Sequence, residues 1–237
     1  MRWHVAGRHI AVMPASIFGL LRPSRRAPVQ VAFALLAGLS AAGCAPRAQP
    51  LAGLPVDEPV PRAQLEGSRR LVFRWEYLDG SLVVRGEGVA RISAPDSARL
   101  DLFLDGGVGG GTAFLVGDTI EAPGGAMVRR LLPPPPLMWA ALGRMAVPAG
   151  TDTVTTRDGG TLRADIGREP VWRVAFNGEE LVRLERIDGG RVIEFVDRTE
   201  DAGREVRYRN EADRRSLSIS IQRDERVEGF DAEIWDR

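Results

Sequence analysis

The residue types that most enzymes use for chemistry are scarce in this chain. Its 237 residues include two histidines, His4 and His9, a single cysteine, Cys44, and no lysine. Nucleophilic triads need an imidazole base, zinc sites consist mainly of Cys and His ligands, and Schiff bases and P-loops need a lysine. From residue 45 onward a catalyst would have only carboxylates, Tyr, Ser and Arg. We therefore expect no catalytic residue, no metal site and no cofactor, and we rank an enzyme below a binding or structural protein.

Two short patterns resemble catalytic or phosphate-binding sequences. Acidic residues are adjacent at Glu179-Glu180 and at Glu200-Asp201, but a glycoside hydrolase needs two carboxylates that face each other across a cleft. The glycine-rich stretch DGGVGGGTAF at 105–114 is followed by a strand pattern, whereas a phosphate-binding loop leads into a helix. The sequence therefore predicts charged turns at the acidic pairs and a hairpin loop at the glycines.

The cysteine follows a segment with the order of a secretion signal. Five arginines and no acidic residue precede an apolar run of about fourteen residues, which begins near Val31 and ends in small residues before Cys44. This run is shorter than the roughly 20 residues that span a bilayer, and the order basic, apolar, small is typical of a cleaved signal peptide. Residues 41–44, AAGC, resemble the lipobox of bacterial lipoproteins, with Ala41 in the place of the usual Leu.

The lipobox resemblance implies a lipoprotein signal peptide over 1–43 and a fatty-acylated N-terminus at Cys44. A chance cysteine after an ordinary signal peptide and a short anchor that is never cut are the alternatives. Without residues 1–43 the chain loses five of its 32 basic and none of its 32 acidic residues, so its net charge is −5; this disfavours nucleic acid as a partner. Ala45 stands where an Asp commonly retains lipoproteins at the inner membrane. The resemblance therefore implies attachment to the outer membrane through the lipid, facing the periplasm.

Residues 44–68 contain five prolines and little apolar periodicity. Because proline lacks the amide donor and fixes φ, we predict a lipidated N-terminus followed by a Pro-rich tether, with a reach of about 70 Å in the polyproline II conformation. An N-terminal arm packed on the domain is the alternative. We expect a single β-rich domain over 69–237, stabilised by its core without disulfides, and a chain of this length can bury a sufficient core.

Alternating apolar and polar residues dominate from Arg69 onward. The stretch LVFRWEYL places Leu71, Phe73, Trp75 and Tyr77 on one face, as in a half-buried antiparallel strand. Asp-Gly and Asn-Gly pairs between such stretches indicate tight hairpin turns. We predict a mainly β fold in which an antiparallel meander curves into a half-barrel, an incomplete barrel. The predicted strands are 70–78, 82–93, 98–104, 112–117, 127–132, 152–157, 161–166, 171–177, 181–187, 191–197, 204–209, 215–224 and 230–235.

An apolar segment at 131–150 interrupts the strands. The prolines from Pro133 to Pro136 end one strand and can begin a helix, which we predict over 137–145. A helix that is apolar all round is buried or meets a membrane, and this one is too short to span a bilayer. A plug over one end of the sheet, a lid over an apolar cavity and a membrane-dipping element remain as interpretations.

Small residues fall on one face of the second predicted strand, at Gly86, Gly88 and Ala90. Such residues permit strong coiling of the strand or the close approach of a ligand. We expect sheet curvature to be the main reason for them.

The lipidated N-terminus, the proline-rich segment, the meander and the single apolar helix together resemble the Lol-type lipoprotein carrier and receptor superfamily and related DUF4292-type lipoproteins. The likeness runs over about 65–237 and is carried by GVARISAPDSARLDLF at 88–103, PPPPLMWAALG at 133–143 and WRVAFNGEELVRLERIDGGRVIEF at 172–195. It implies an incomplete barrel, covered by helices, that encloses an apolar cavity for acyl chains.

Two hypotheses of function follow. The first is a non-catalytic binding module that receives or carries an acyl chain or a lipoprotein in envelope lipid transport, with a gain of about 0.8 kcal/mol per buried CH₂. Its expected cavity residues are Phe73, Trp75, Phe114, Met138, Trp139, Leu142 and Met145. The second is a structural or assembly lipoprotein with a closed core that acts through protein contacts. An apolar cavity on the order of several hundred Å³ would separate the two.

Overall fold

The computed structural model describes most of the chain. The described residues are 45–107, 109–123, 125–199 and 204–236. The predicted signal peptide, the lipid attachment at Cys44 and the acidic pair Glu200-Asp201 lie outside these residues, so they stay predictions.

One antiparallel sheet of thirteen strands makes up most of the described residues. The strands are β1 Leu54–Pro55, β2 Ser68–Asp79, β3 Leu82–Ser93, β4 Ser97–Leu104, β5 Gly110–Val116, β6 Thr119–Glu121, β7 Thr153–Asp158, β8 Thr161–Ile166, β9 Val171–Asn177, β10 Glu180–Asp188, β11 Arg191–Arg198, β12 Glu205–Asn210 and β13 Arg215–Val227. The helices are α1 Ala126–Leu131 and α2 Pro135–Ala141, and a 3-10 turn spans Ala232–Trp235. The edge strands β1 and β6 do not pair with each other, so the sheet is open. The predicted mainly β, antiparallel and incomplete barrel architecture is confirmed.

The strand order explains where the helices lie. β2 to β6 follow one another outward on one side of the sheet, β7 to β13 fill the other side, and β13 pairs with β2 along the full length of β2. The chain must therefore cross from one edge of the sheet to the other between β6 and β7. Both helices belong to this crossing connection, and their apolar residues join the core formed by one face of the sheet. We call that face the inner face.

Alternation along β2 shows how the sequence defines the inner face. Leu71, Phe73 and Trp75 are 3–4% exposed, whereas the side chains between them point to the outer face, where Arg85 forms an ion pair with Glu76. This alternation of buried and exposed side chains is typical of a strand with one buried and one solvated face. The sequence pattern therefore fixes which side of the sheet the crossing helices cover.

The small residues of β3 make room for two aromatic rings of β2. Gly86 lies opposite Trp75 and Gly88 opposite Phe73. A Cβ at Gly86 would overlap the carbonyl oxygen of Phe103 on β4 and lie 2.7 Å from Cζ2 of Trp75, and one at Gly88 would overlap the Phe73 ring. Trp75 also donates from Nε1 to the carbonyl of Glu87 at 2.9 Å. The glycines thus accommodate the protein's own side chains.

The predicted helix is present with shifted bounds. α2 begins two residues before the predicted start, at Pro135, because proline suits the first helical turn. It ends at Ala141, ahead of Gly143, whose φ is +92°; glycine tolerates this left-handed conformation.

Two segments predicted as strands are not strands. Of the predicted strand 127–132, residues 127–131 fall in α1 and Leu132 is its C-cap, since a short apolar run does not distinguish the period of a helix from that of a strand. Residues 230–235 contain the 3-10 turn, and the Nη1 of Arg99 donates to the carbonyl of Ile234 at 2.7 Å. The C-terminal segment therefore docks on the outer face instead of extending the sheet.

The proline-rich segment after residue 44 lies along the sheet as a packed arm and not as a free tether. Its carbonyls accept hydrogen bonds from strand side chains: Ala45 from Arg191 at 2.9 Å and Gln49 from Arg173 at 2.7 Å. β1 then pairs with β7, and Leu65 is buried. Proline removes a donor but leaves the carbonyl acceptors intact, so arginine side chains can hold such a segment.

Candidate functional site

A narrow apolar slot lies between the inner face and the crossing helices. Its volume is about 10 Å³, which is room for roughly one water molecule and far below the ~300 Å³ of a small ligand pocket. Only apolar and aromatic residues line the slot: Phe73, Trp75, Leu100, Leu102, Leu131, Leu132, Met138, Leu217 and Ile219. In this conformation the protein's own side chains fill the inner face.

The two crossing helices, α1 and α2, cover the slot, and we call them its roof. Of the two, α2 is firmly held. Leu137 to Ala141 are all 0–2% exposed. Trp139 donates from Nε1 to the carbonyl of Gly117, in the turn after β5, at 2.6 Å, and the guanidinium of Arg144 lies 4.7 Å from the centre of its indole. Arg198 donates to the carbonyl of Ala141, where a cation complements the C-terminal end of a helix. Burial and these contacts therefore make α2 part of the core.

The α1 part of the roof is lightly held. α1 has six residues and no side-chain cap at its N-terminus, and the seven-residue α2 also lacks such a cap. Helices this short have little stability of their own, so their contacts decide how firmly each is held. It buries only Val128 and Leu131, while Met127 is 45% exposed. Val128 packs against Gly111, where a Cβ would overlap its methyl group. Gly111, within the glycine-rich stretch, thus makes room for Val128 of α1.

An ion pair attaches α1 to the end of β2. Arg130 donates from Nε to Asp79 at 2.9 Å, and Tyr77 donates to the same carboxylate at 3.2 Å. The hydrogen bond from Arg130 lowers the pKa of Asp79, and burial is the main cause that raises the pKa of Tyr77. The Arg130 side chain is 62% exposed, so the pair is a weak attachment.

A second cavity, of about 260 Å³, adjoins the slot at the end of α2. We call it the arginine mouth; it is lined by Arg69, Leu71, Leu142, Arg198, Arg204, Ile221 and Asp224. Leu71 precedes Phe73 of the slot by two residues on the same strand face, and Ile221 follows Ile219 in the same way. The mouth therefore continues the line of the slot along the strands.

A buried carboxylate lies on the inner face without the features of a catalytic group. Glu194 is 2% exposed and accepts from Tyr208 at 2.7 Å and from Nε of Arg186 at 2.7 Å. Burial is the main cause that raises the pKa of Tyr208. Both carboxylate oxygens are satisfied by the protein, as buried polar groups generally are, so this cluster is explained by structure alone.

The predicted ligand residues separate into five places. Phe73, Trp75 and Met138 line the slot, and Leu142 lines the arginine mouth. Trp139 lies beside the slot in α2 without lining it. Met145 lines a third cavity, beside the N-terminal arm.

Phe114 lies on the outer face. It pairs with Arg99 across β4 and β5, and the Arg99 guanidinium lies 5.5 Å from the centre of its ring. β5 is buried on both faces at this point, so the burial of Phe114 does not place it on the inner face.

Sequence reasoning missed six slot residues. Leu217 and Ile219 were on the apolar face of the predicted strand SLSISIQR and could have been chosen on that pattern. Leu131 and Leu132 were hidden by the strand prediction for 127–132. The complete set is Leu100, Leu102, Leu131, Leu132, Leu217 and Ile219.

The other predicted motifs have simple structural outcomes in the described part of the chain. Glu179 and Glu180 are exposed at the hairpin between β9 and β10, as predicted. No group of three or more Asp, Glu, His or Cys side chains suited to a metal ion occurs among the residues in 45–107, 109–123, 125–199 and 204–236. Over the same described residues, no helix has the length and hydropathy to cross a membrane.

The sequence matches no known family and no curated protein. Solved structures with a similar fold include the following three. A LolA superfamily protein from Nitrosomonas europaea has a TM-score of 0.49 and 7% identity, over 74% of this chain and 93% of that one. A domain described as an outer membrane lipoprotein-sorting protein, from Vibrio parahaemolyticus, has a TM-score of 0.41 and 7% identity, over 70% and 88%. A DUF1329 family protein from Desulfovibrio piger has a TM-score of 0.40 and 10% identity, over 71% and 89%.

At these identities and TM-scores the matches carry no inference about a ligand, so a function has to be argued from the slot and its roof.

Proposed function

We propose that the protein binds an acyl chain non-catalytically, by displacement of α1 from the slot. The observation that carries the proposal is the unequal attachment of the two roof helices over a wholly apolar slot. α2 is buried on every side, whereas α1 holds its place through Val128, Leu131 and one exposed ion pair. A lid that is held less firmly than the site it covers can open for a ligand without unfolding the core.

The energies permit this opening. Exposure of Val128 and Leu131 costs about 3–6 kcal/mol, at ~1.5–3 kcal/mol for each buried side chain. Burial of an acyl ligand contributes about 0.8 kcal/mol of binding free energy per CH₂. About eight buried methylene groups therefore offset the larger cost. Longer acyl chains therefore bind with a net gain, and short ones do not.

The experiment is a titration with neutral fatty alcohols of increasing chain length, followed through displacement of a fluorescent apolar probe. We expect saturable binding that begins at medium chain length and then strengthens about fourfold per CH₂. Leu132→Ser should weaken binding, since Leu132 lines the slot. Val154→Ser is the matched control, because Val154 is 60% exposed and away from the slot.

The closed slot favours a second candidate function. A volume of about 10 Å³ is also what a permanently packed structural or assembly lipoprotein would show. If no chain length saturates the protein, this second function replaces the first.

We further propose that Cys44 carries the lipid and that the protein is an outer-membrane lipoprotein facing the periplasm, as the lipobox resemblance implies. Cys44→Ser should abolish labelling by a fatty-acid probe and release the protein from membranes or leave it uncleaved. Unchanged labelling and membrane association would contradict the proposal.

A further inference from the structure

The arginine mouth has an excess of positive charge over apolar walls. Of its three arginines, Arg69 is neutralised by Asp224, with Nε to Oδ1 at 3.1 Å. Arg198 and Arg204 also line the cavity, and among the described residues neither forms an ion pair within 4.0 Å. Leu71, Leu142 and Ile221 supply the apolar walls.

Arg198 is desolvated and incompletely paired. One of its terminal nitrogens donates to the carbonyl of Ala141, but its Nε is buried and finds no acceptor within the part of the chain that the structure describes. Burial is the main cause that lowers the pKa of Arg198, against the attraction of Glu180 and Asp224. A buried cation usually has an anionic or hydrogen-bonding partner, so the guanidinium has capacity for one more acceptor.

The mouth and the slot lie in one line. Leu71 is two residues from Phe73, and Ile221 two residues from Ile219, which is about 7 Å along a strand in each case. Leu142 follows Met138 by four residues, which is close to one helical turn. A molecule that enters the slot with its chain therefore leaves its other end beside Arg198 and Arg204.

We propose that the arginine mouth binds the anionic head group of an amphiphile, a carboxylate or a phosphate, while the acyl chain occupies the slot. The guanidinium of Arg198, which lines the mouth, donates to the head group, and Arg204 adds charge at the entrance. The bidentate geometry of guanidinium groups suits carboxylate and phosphate oxygens. This inference rests on the proposed acyl binding and names the class of ligand.

The test compares palmitate with hexadecanol, which have the same chain length but different head groups. We expect palmitate to bind at least about tenfold more tightly, since hydrogen bonds to charged groups are the stronger ones. Arg198→Gln and Arg204→Gln should each reduce the affinity for palmitate and leave that for hexadecanol within about twofold. Arg198→Gln also removes the contact to α2 and could disturb the fold. Arg204 is exposed, so Arg204→Gln retains the fold and tests the mouth independently.

Arg207→Gln is the matched control, because Arg207 is exposed on β12 but does not line the mouth; it should change neither affinity. Equal binding of palmitate and hexadecanol to the parent protein would overturn the head-group inference while acyl binding stands. Displacement of palmitate by free acetate or phosphate at the same concentrations would overturn the amphiphile as ligand. If the protein binds neither palmitate nor hexadecanol, the proposed function itself is contradicted.

Discussion

Trp139, in the α2 part of the roof, is buried and hydrogen-bonded to the turn after β5. The sequence suggested Trp139 as a ligand contact, but its indole is 0% exposed and its Nε1 donates to the carbonyl of Gly117 at 2.6 Å. That bond connects α2 to the turn after β5, on the opposite half of the sheet from the strands that α2 packs on. These contacts give Trp139 a part in stabilising the fold; a contact with a ligand stays a prediction.

Trp139→Ala should lower the free energy of unfolding by roughly 3–5 kcal/mol, the usual cost of a large cavity in a core. Trp139→Phe should lose less, about 1–3 kcal/mol, because it keeps most of the burial and leaves one carbonyl without its donor. Chemical denaturation measures both values. A change below 1 kcal/mol for the alanine variant would show that α2 is not part of the core.

The attachment of α1 should depend on pH through Asp79. Because the hydrogen bond from Arg130 lowers the pKa of Asp79, the ion pair contributes above the ordinary carboxyl pKa of about 3.9 and is lost as the pH falls through the lowered value. The fluorescence anisotropy of a fluorophore attached at Met127→Cys should therefore be high and constant near neutral pH. It should fall below about pH 4, where α1 is released.

Asp79→Asn should give the low anisotropy at every pH. If this variant matches the parent protein at pH 7, Asp79 does not hold α1.

At the level of elements, the long strands could be predicted and the short elements could not. The alternation in β2, β3 and β13 spans enough residues to define their period and face, and hairpin turns at Asp-Gly pairs define where they end. β1 and β6 have two and three residues, too few for any period. α1 was predicted as a strand because its apolar residues suit either structure, and the packing of Val128 on Gly111 is a tertiary contact that the local sequence does not show.

Gly111→Ala should loosen α1, since a Cβ there overlaps the methyl group of Val128. We expect faster association of acyl ligands and faster amide hydrogen exchange in α1, with little change in the global free energy of unfolding. Gly160→Ala is the control, because a Cβ at Gly160 meets nothing within 4 Å. Unchanged exchange in α1 of the Gly111 variant would show that this contact does not position the helix.

For the whole molecule, the fold class followed from the sequence because periodicity is a local signal. The slot could not be predicted, because it depends on the crossing between β6 and β7 and on which helix that crossing holds firmly. The same limit applies to the N-terminal arm: its prolines indicate an extended chain, but the arginines that bind its carbonyls are more than a hundred residues away. Three of the seven predicted ligand residues line the slot, those that lie at the middle of the inner face.

The central claim is that α1 must leave the slot for an acyl chain to bind. A Cβ at Gly111 lies 3.7 Å from the Cβ of Val128, within the ~3.5–4.5 Å range of disulfides, so Gly111→Cys with Val128→Cys can lock α1 to β5. Hexadecanol binding to the oxidised and the reduced double variant is the most direct measurement, with single Gly111→Cys as the control for the substitution itself. The account predicts that the oxidised protein binds at least about tenfold more weakly and that reduction restores binding. Equal binding in the two redox states would contradict it.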